Sequence, residues 1–168
     1  MSATPPRPPY LVTLRDVAGE EESHYPDSPE LLGYSRNIAK AVGLTRIGLN
    51  LERVPPGMRI SYPHCHSTED EFVLVLEGEI DAWVDGVLHP MRVGDLIGFA
   101  AGTGICHTFI NNSSSEALLL GGGEAWKSGD QVHYPLNPER SAQMKPGREW
   151  IDPPLGPQGP HDGKPTPR

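Results

Sequence analysis

The chain has 168 residues, enough for one domain with a real core that buries roughly two-thirds of its unfolded surface. Its 19 Gly and 19 Pro leave too little uninterrupted sequence for a helical bundle and favour short strands joined by turns. Acidic side chains outnumber basic ones 22 to 14, for a net charge of -8, and no Lys/Arg cluster exceeds a pair, which argues against a nucleic-acid partner; no apolar run is long enough to span a membrane.

Residues 1–9 are Pro-rich and are expected to be extended or mobile. The first residues, MSATPPRPPYLVTL, contain no apolar signal-peptide core, and two cysteines do not indicate a disulfide framework, so a cytoplasmic protein is expected. Tyr10 to Val17 alternates as a strand would. Glu30 to Val42 (ELLGYSRNIAKAV) is the best helix candidate, weakened by Gly33.

From Thr45 the period becomes two. Ile47, Leu49 and Leu51 alternate with Arg46, Gly48, Asn50 and Glu52, and Pro55-Pro56-Gly57 turns the chain. Strands are predicted at about 59–66, 71–77, 79–85, 87–92, 95–99, 105–111 and 116–122, with Asp85-Gly86 as a two-residue hairpin turn. After Gly123 the pattern fades. Trp126, Tyr134 and Trp150 are aromatic anchors of an arm folding back on the barrel or onto a second subunit. The end, PPLGPQGPHDGKPTPR, has little to bury and is expected to be poorly ordered without a partner.

The chemistry concentrates in GMRISYPHCHSTEDEFVLVLEG, residues 57–78, and GDLIGFAAGTGICHTFIN, residues 94–111. Alternation puts Tyr62, His64 and His66 on one face and Cys65 on the other; Glu71 opens the next run, and His107 shares a face with Phe109. Glu69 and Asp70 compete with Glu71 for the carboxylate role, but the start of the strand favours Glu71. Three imidazoles and one carboxylate suit a divalent first-row ion: Fe, Zn, Mn, Ni or Cu. Cys65 and Cys106 point away and are read as small buried hydrophobes. The same alternation makes Tyr62, Val73, Val75 and Phe109 pocket walls. Tyr62 is either a catalytic phenol or a core tyrosine, and Arg46 and Asn50, on the polar face of their strand, are candidate substrate contacts.

These stretches resemble the motifs of the cupin superfamily. Gly57, His64-Cys65-His66, four residues, Glu71, six residues and Gly78 match the first motif; Gly94, five residues, Ala100-Ala101-Gly102, His107, three residues and Asn111 match the second. The chain departs from the pattern in three places. Ala100 stands where a proline is usual, two extra residues separate Gly102 from His107, and Gly57 to His64 is one residue longer than usual. The resemblance implies an all-β fold, a cupin-type double-stranded β-helix or jelly-roll barrel over residues 44–123. An N-terminal arm (1–43) and a C-terminal arm with a poorly ordered tail (124–168) would flank it. It also implies one metal held by His64, His66, Glu71 and His107, with Glu71 and Tyr62 in catalysis, a small-molecule substrate and a homodimer. An oxygenase-type enzyme is the first expectation, with an apolar wall suited to an aromatic or polyketide-sized substrate. A non-oxidative cyclase, isomerase or decarboxylase and a non-enzymatic ligand-binding barrel stay open.

Overall fold

The structure, a computed structural model, describes residues 6–125 and 127–166. Eleven strands and two short α-helices are assigned among them. In chain order these are β1 (Glu21–Glu22), β2 (Tyr34–Asn37), α1 (Ile38–Ala41), β3 (Ile47–Val54), β4 (Cys65–His66), β5 (Glu71–Glu77) and β6 (Glu79–Val84). β7 (Val87–Arg92), β8 (Leu96–Phe99), β9 (His107–Ile110), β10 (Ala117–Glu124), β11 (Val132–His133) and α2 (Pro138–Ala142) follow. One sheet runs β1-β2-β3-β10-β5-β8, a second runs β7-β6-β9, and β4 pairs with β11. The sheets form a jelly roll and do not close into a continuous barrel.

Residue chemistry accounts for the sharp turns. Asp85 and Gly86 both have positive φ, 47° and 83°, as a two-residue turn matching strand twist requires; Val84 and Val87 then pair directly. Gly78 links β5 to β6 at φ 74°, where a Cβ would meet the Glu116 carbonyl at 2.5 Å, so both dihedral and space demand glycine. Asn111, fully buried, donates from Nδ2 to the carbonyls of Val54 (2.7 Å) and Ser115 (2.8 Å), tying the end of β9 to β3 and to the turn into β10.

The core between the sheets holds Val54, Val75, Ile80, Phe109 and Leu119, each at most 3% exposed. Cross-strand partners share a face, so the large sheet presents rows to the interior. One row is Phe99, Glu71, Gly123 and Gly48; the next is Ile97, Val73, Gly121, Asn50 and Asn37; the third contains Val75, Leu119, Glu52 and Ser35. On β3 the polar face therefore points inward at its first half, and Ile47 is left half exposed. The reversal follows from what lies inside: a cavity there, apolar core only from Val54 onward.

Three expectations change. Tyr10–Val17 is not a strand; it contains a single 3-10 turn, Leu14–Asp16. The 30–42 helix splits into β2, which pairs with β3, and one turn of α1, capped by the Asn37 side chain accepting from Lys40 N at 2.8 Å. Gly33, at φ 89° with the Arg53 carbonyl 3.0 Å from a built Cβ, is the point where a continuous helix fails. The tail is also held more firmly than its composition suggests. Arg59, 2% exposed, donates to the Gly163 carbonyl at 2.7 Å, Trp83 Nε1 donates to the His161 carbonyl at 2.9 Å, and Gly159 N donates to the Asp85 carbonyl. Buried donors in the barrel need acceptors, and the tail backbone supplies them. Residues 1–5 and Trp126, for which an extended arm and an aromatic anchor were expected, and the last two tail residues lie outside the described residues.

Candidate metal centre

The two motif stretches meet through a backbone pair. His64 N donates to the His107 carbonyl at 3.1 Å and His107 N to that of His64 at 2.9 Å, so these side chains share one face and those of Cys65 and Cys106 share the other. The two sulfurs lie 3.1 Å apart, buried with Trp83 and Ile110, as small apolar groups behind the ligands. His66 lies two residues along from His64. Glu71, first in β5, enters from the large sheet.

Three Nε2 atoms converge on Glu71 Oε2: His107 at 3.1 Å, His66 at 3.5 Å and His64 at 3.7 Å. That oxygen is buried and has no hydrogen-bond partner among the described residues. The outer nitrogens fix two of the tautomers. His64 Nδ1 faces the Tyr62 carbonyl at 2.8 Å, and His66 Nδ1 faces Asp130 Oδ2 at 2.8 Å. Both acceptors lack protons, so each Nδ1 is the donor and each Nε2 turns a lone pair toward the carboxylate. His107 is stacked on Phe99 at 3.6 Å and 6°.

Lone pairs facing a buried carboxylate oxygen repel unless positive charge lies between them. Burial would raise the Glu71 carboxyl, but the His107 ring nitrogen beside it, together with the charge of the three imidazoles, brings it down to about 2. Burial meanwhile lowers His64 to about 4, so at neutral pH that imidazole carries no charge. The residues present fit a divalent cation, which would satisfy the orphaned oxygen and the imidazole lone pairs together. His64, His66 and Glu71 place ligand atoms within 4.8 Å of one another, with His107 completing the donor set.

The site opens into a cavity of about 990 Å³. Of the expected wall residues, Val73, Phe109 and Asn50 line it. Tyr62, Val75 and Arg46 stand elsewhere. Val75 is 1% exposed in the core, and Arg46 is exposed on the outside. Tyr62 packs on Tyr25 at 4.3 Å, with its hydroxyl 2.8 Å from Ser28 Oγ, so no phenol from this position reaches the cavity. The reason is a bulge. Arg59 bridges Ile110 and His64 bridges His107, five steps on one strand against three on the other, with bends at Ile60, Ser61 and Pro63. The extra residue between Gly57 and His64 falls here and turns Tyr62 outward. The lengthened loop before His107 contributes no residue to the cavity lining. Gly104 in that loop packs under Pro154 of the tail, whose carbonyl lies 2.7 Å from a built Cβ.

Several lining residues carry no motif. Glu52 was within reach of alternation from Asn50; burial pushes its carboxyl up to about 7, the Ser35 hydroxyl at 2.9 Å offsetting only part of this. Glu69, expected in a solvated loop, lines the cavity with a side chain 12% exposed. Asp130, fully buried behind His66, also accepts from Thr68 N at 3.0 Å and from the Ser67 and Thr68 hydroxyls. Tyr134, Arg140 and Arg148 come from the C-terminal arm. Tyr134 was expected as an aromatic anchor of that arm, and nothing in the sequence around Asp130, Arg140 or Arg148 marks them.

The Cupin domain family matches residues 50–121. A crystal structure described as a sugar phosphate isomerase from a cupin superfamily, from Silicibacter pomeroyi, is 31% identical, covers 74% of this chain and 80% of its own, and superposes with a TM-score of 0.65. The chain belongs to the cupin superfamily. This cupin is also 36% identical over 78 residues to Protein SchB of Streptomyces halstedii, covering 46% of this chain and spanning only 54% of that protein. The polyketide cyclase RemF of Streptomyces resistomycificus, 22% identical with a TM-score of 0.56 over 82% of this chain and 94% of its own, shares the fold. No helix among the described residues is long and apolar enough to cross a membrane.

Proposed function

We propose that this cupin is a metal-dependent enzyme that acts on a small oxygenated molecule by proton transfer, as an isomerase does. One observation carries the metal dependence: the three Nε2 atoms directed at the orphaned, buried Glu71 Oε2. A divalent ion held by His64, His66, Glu71 and His107 would polarise a substrate oxygen and acidify the adjacent C–H.

The protein's own groups supply the rest. Glu52, at about 7, can take and return a proton near neutral pH. Asn37 and Asn50 offer amides on the same wall, for hydroxyl or carbonyl groups. Asp130 holds the tautomer and orientation of His66, and the Tyr62 carbonyl does the same for His64. The wall sets these polar groups beside its apolar flank, and the relative described as a sugar phosphate isomerase supports non-oxidative chemistry.

The test is solvent exchange. Metal-reconstituted protein incubated in D₂O with a panel of hydroxyaldehydes and hydroxyketones should place deuterium on carbon in at least one of them, and Glu71→Gln should not. Exchange equal in both proteins would remove the reading. The oxygenase chemistry expected first from sequence is the second reading. It is favoured by the apolar flank of Val73, Phe99 and Phe109 beside the ligands, and iron-dependent oxygen consumption would identify it.

A further inference from the structure

α2 and the turn after it bring Arg140, Lys145 and Arg148 to the rim of the metal cavity. Four residues separate Arg140 from Lys145 and two separate Lys145 from Arg148, so no contiguous basic run marks them in the chain. Several cations elsewhere in this acidic protein sit against carboxylates, although Lys40, Arg46, Arg92 and Lys164 do not among the described residues. Arg53 lies between Glu20 and Glu116, Arg59 is gripped by Glu30, and Lys127 pairs with Glu124. Arg140 and Lys145 have no such partner among the described residues. Arg148 stands 3.8 Å from Asp130, whose oxygens already serve His66, Thr68 and Ser67.

Arg140 is also held in place. Its guanidinium lies 4.9 Å from the Tyr25 ring and 5.7 Å from the Tyr134 ring, and its buried Nε has no acceptor among the described residues. A buried N–H left without an acceptor costs about 1–3 kcal/mol, which a ligand oxygen would relieve. Tyr134 in turn stands 5.9 Å from the His64 ring, so a single aromatic ring separates this guanidinium from a metal-ligating imidazole. The acidic residues on the same walls have other attachments: Glu71 faces the imidazoles, Glu124 holds Lys127, Glu69 accepts from Lys127 N, and Glu52 accepts from the Ser35 hydroxyl.

We infer that Arg140, Lys145 and Arg148 form an oxyanion subsite, and that the cavity's small-molecule ligand carries a phosphate or carboxylate held there while its other end reaches the metal centre. This deepens the proposed function and rests on it for the metal end. Arg140 supplies a planar fork of donors suited to two oxygens of one anionic group; Lys145 and Arg148 add charge from the rim.

The experiment is calorimetric titration of chelator-treated, metal-free protein at constant ionic strength, with inorganic phosphate and acetate as separate probes. Saturable binding of at least one probe is expected, identifying which anion the subsite takes. Arg140→Gln should weaken it at least tenfold, Arg140→Lys by less, Lys145→Gln about threefold, and the remote Arg92→Gln not at all. Metal loading of each variant at the wild-type level reports an intact fold. No saturable binding of either probe, or equal binding by Arg140→Gln and Arg140→Lys and the wild type, overturns the subsite. The two readings fail separately. Protein that takes no metal yet binds phosphate through Arg140 loses the metal chemistry and keeps the subsite. Protein that loads metal but binds anions independently of Arg140 does the reverse.

Discussion

The motif strands and the C-terminal arm both build the cavity, and they do so by different means. His64, His66, Glu71 and His107 lie on backbone locked by cross-strand pairs, so spacing in sequence becomes spacing in the site. Tyr134 and, on the one short helix, Arg140 reach the same cavity through single side chains, and Asp130 acts on it from behind His66. The strands supply the donors that would hold a cation; the arm supplies what orients them and what a substrate's far end would meet. A local motif can therefore describe the centre of this site while leaving its surroundings unread.

The sharpest way to break this division is to remove a ligand. His66→Ala should abolish turnover and weaken metal binding by more than 100-fold while the circular dichroism of the fold persists; full turnover would contradict it. One step out, Asp130→Asn removes the charge behind His66 without touching a ligand and should weaken metal binding about 10- to 100-fold. Unchanged affinity would reduce Asp130 to a structural role and return the whole site to the motif strands.

The tail offers a stability comparison. Arg59→Ala leaves the Gly163 carbonyl and Glu30 without their donor and should cost about 2–4 kcal/mol by denaturant unfolding. It should also expose the tail to limited proteolysis. A tail equally resistant in mutant and wild type would show that Arg59 does not anchor it.

The smallest effects are pH-dependent. His64 is lowered to about 4 from an ordinary 6.5, so its neutral form stabilises the metal-free fold fully above pH 6.5, and that contribution is lost as pH falls toward 4. Glu52 has the opposite sign. Its carboxyl is raised to about 7 from 4.5, so the fold bears an increasing penalty as pH rises from 4.5 through 7. Glu52→Gln should therefore melt a few degrees above the wild type at pH 8 and close to it at pH 4. Equal melting shifts at both values would show that Glu52 is not held neutral by burial.

The same contrast explains how much was legible beforehand. Strand positions from β5 to β10 followed from alternation and turn residues, because Gly78 and Asp85-Gly86 leave the backbone few choices. The clustering of the four candidate donors followed because a ladder preserves their order. Tyr62 was misplaced because alternation assumes an unbroken strand, and the bulge before His64 depends on bends at Ser61 and Pro63 that no periodicity reports. Val73 and Phe109 followed from alternation as cavity lining, but the arm's cations and the inward polar face of β3 become lining only in three dimensions. The tail looked disordered because its attachments are backbone carbonyls serving Arg59 and Trp83, and a carbonyl leaves no trace in composition.

The central claim is that three imidazoles and Glu71 hold one divalent ion. Elemental analysis of protein purified without chelators, with His107→Ala prepared in parallel, tests it most directly. The account predicts about one Fe, Mn, Ni, Cu or Zn per wild-type chain and little in the mutant. Equal metal in both, or none in the wild type after reconstitution, would contradict it.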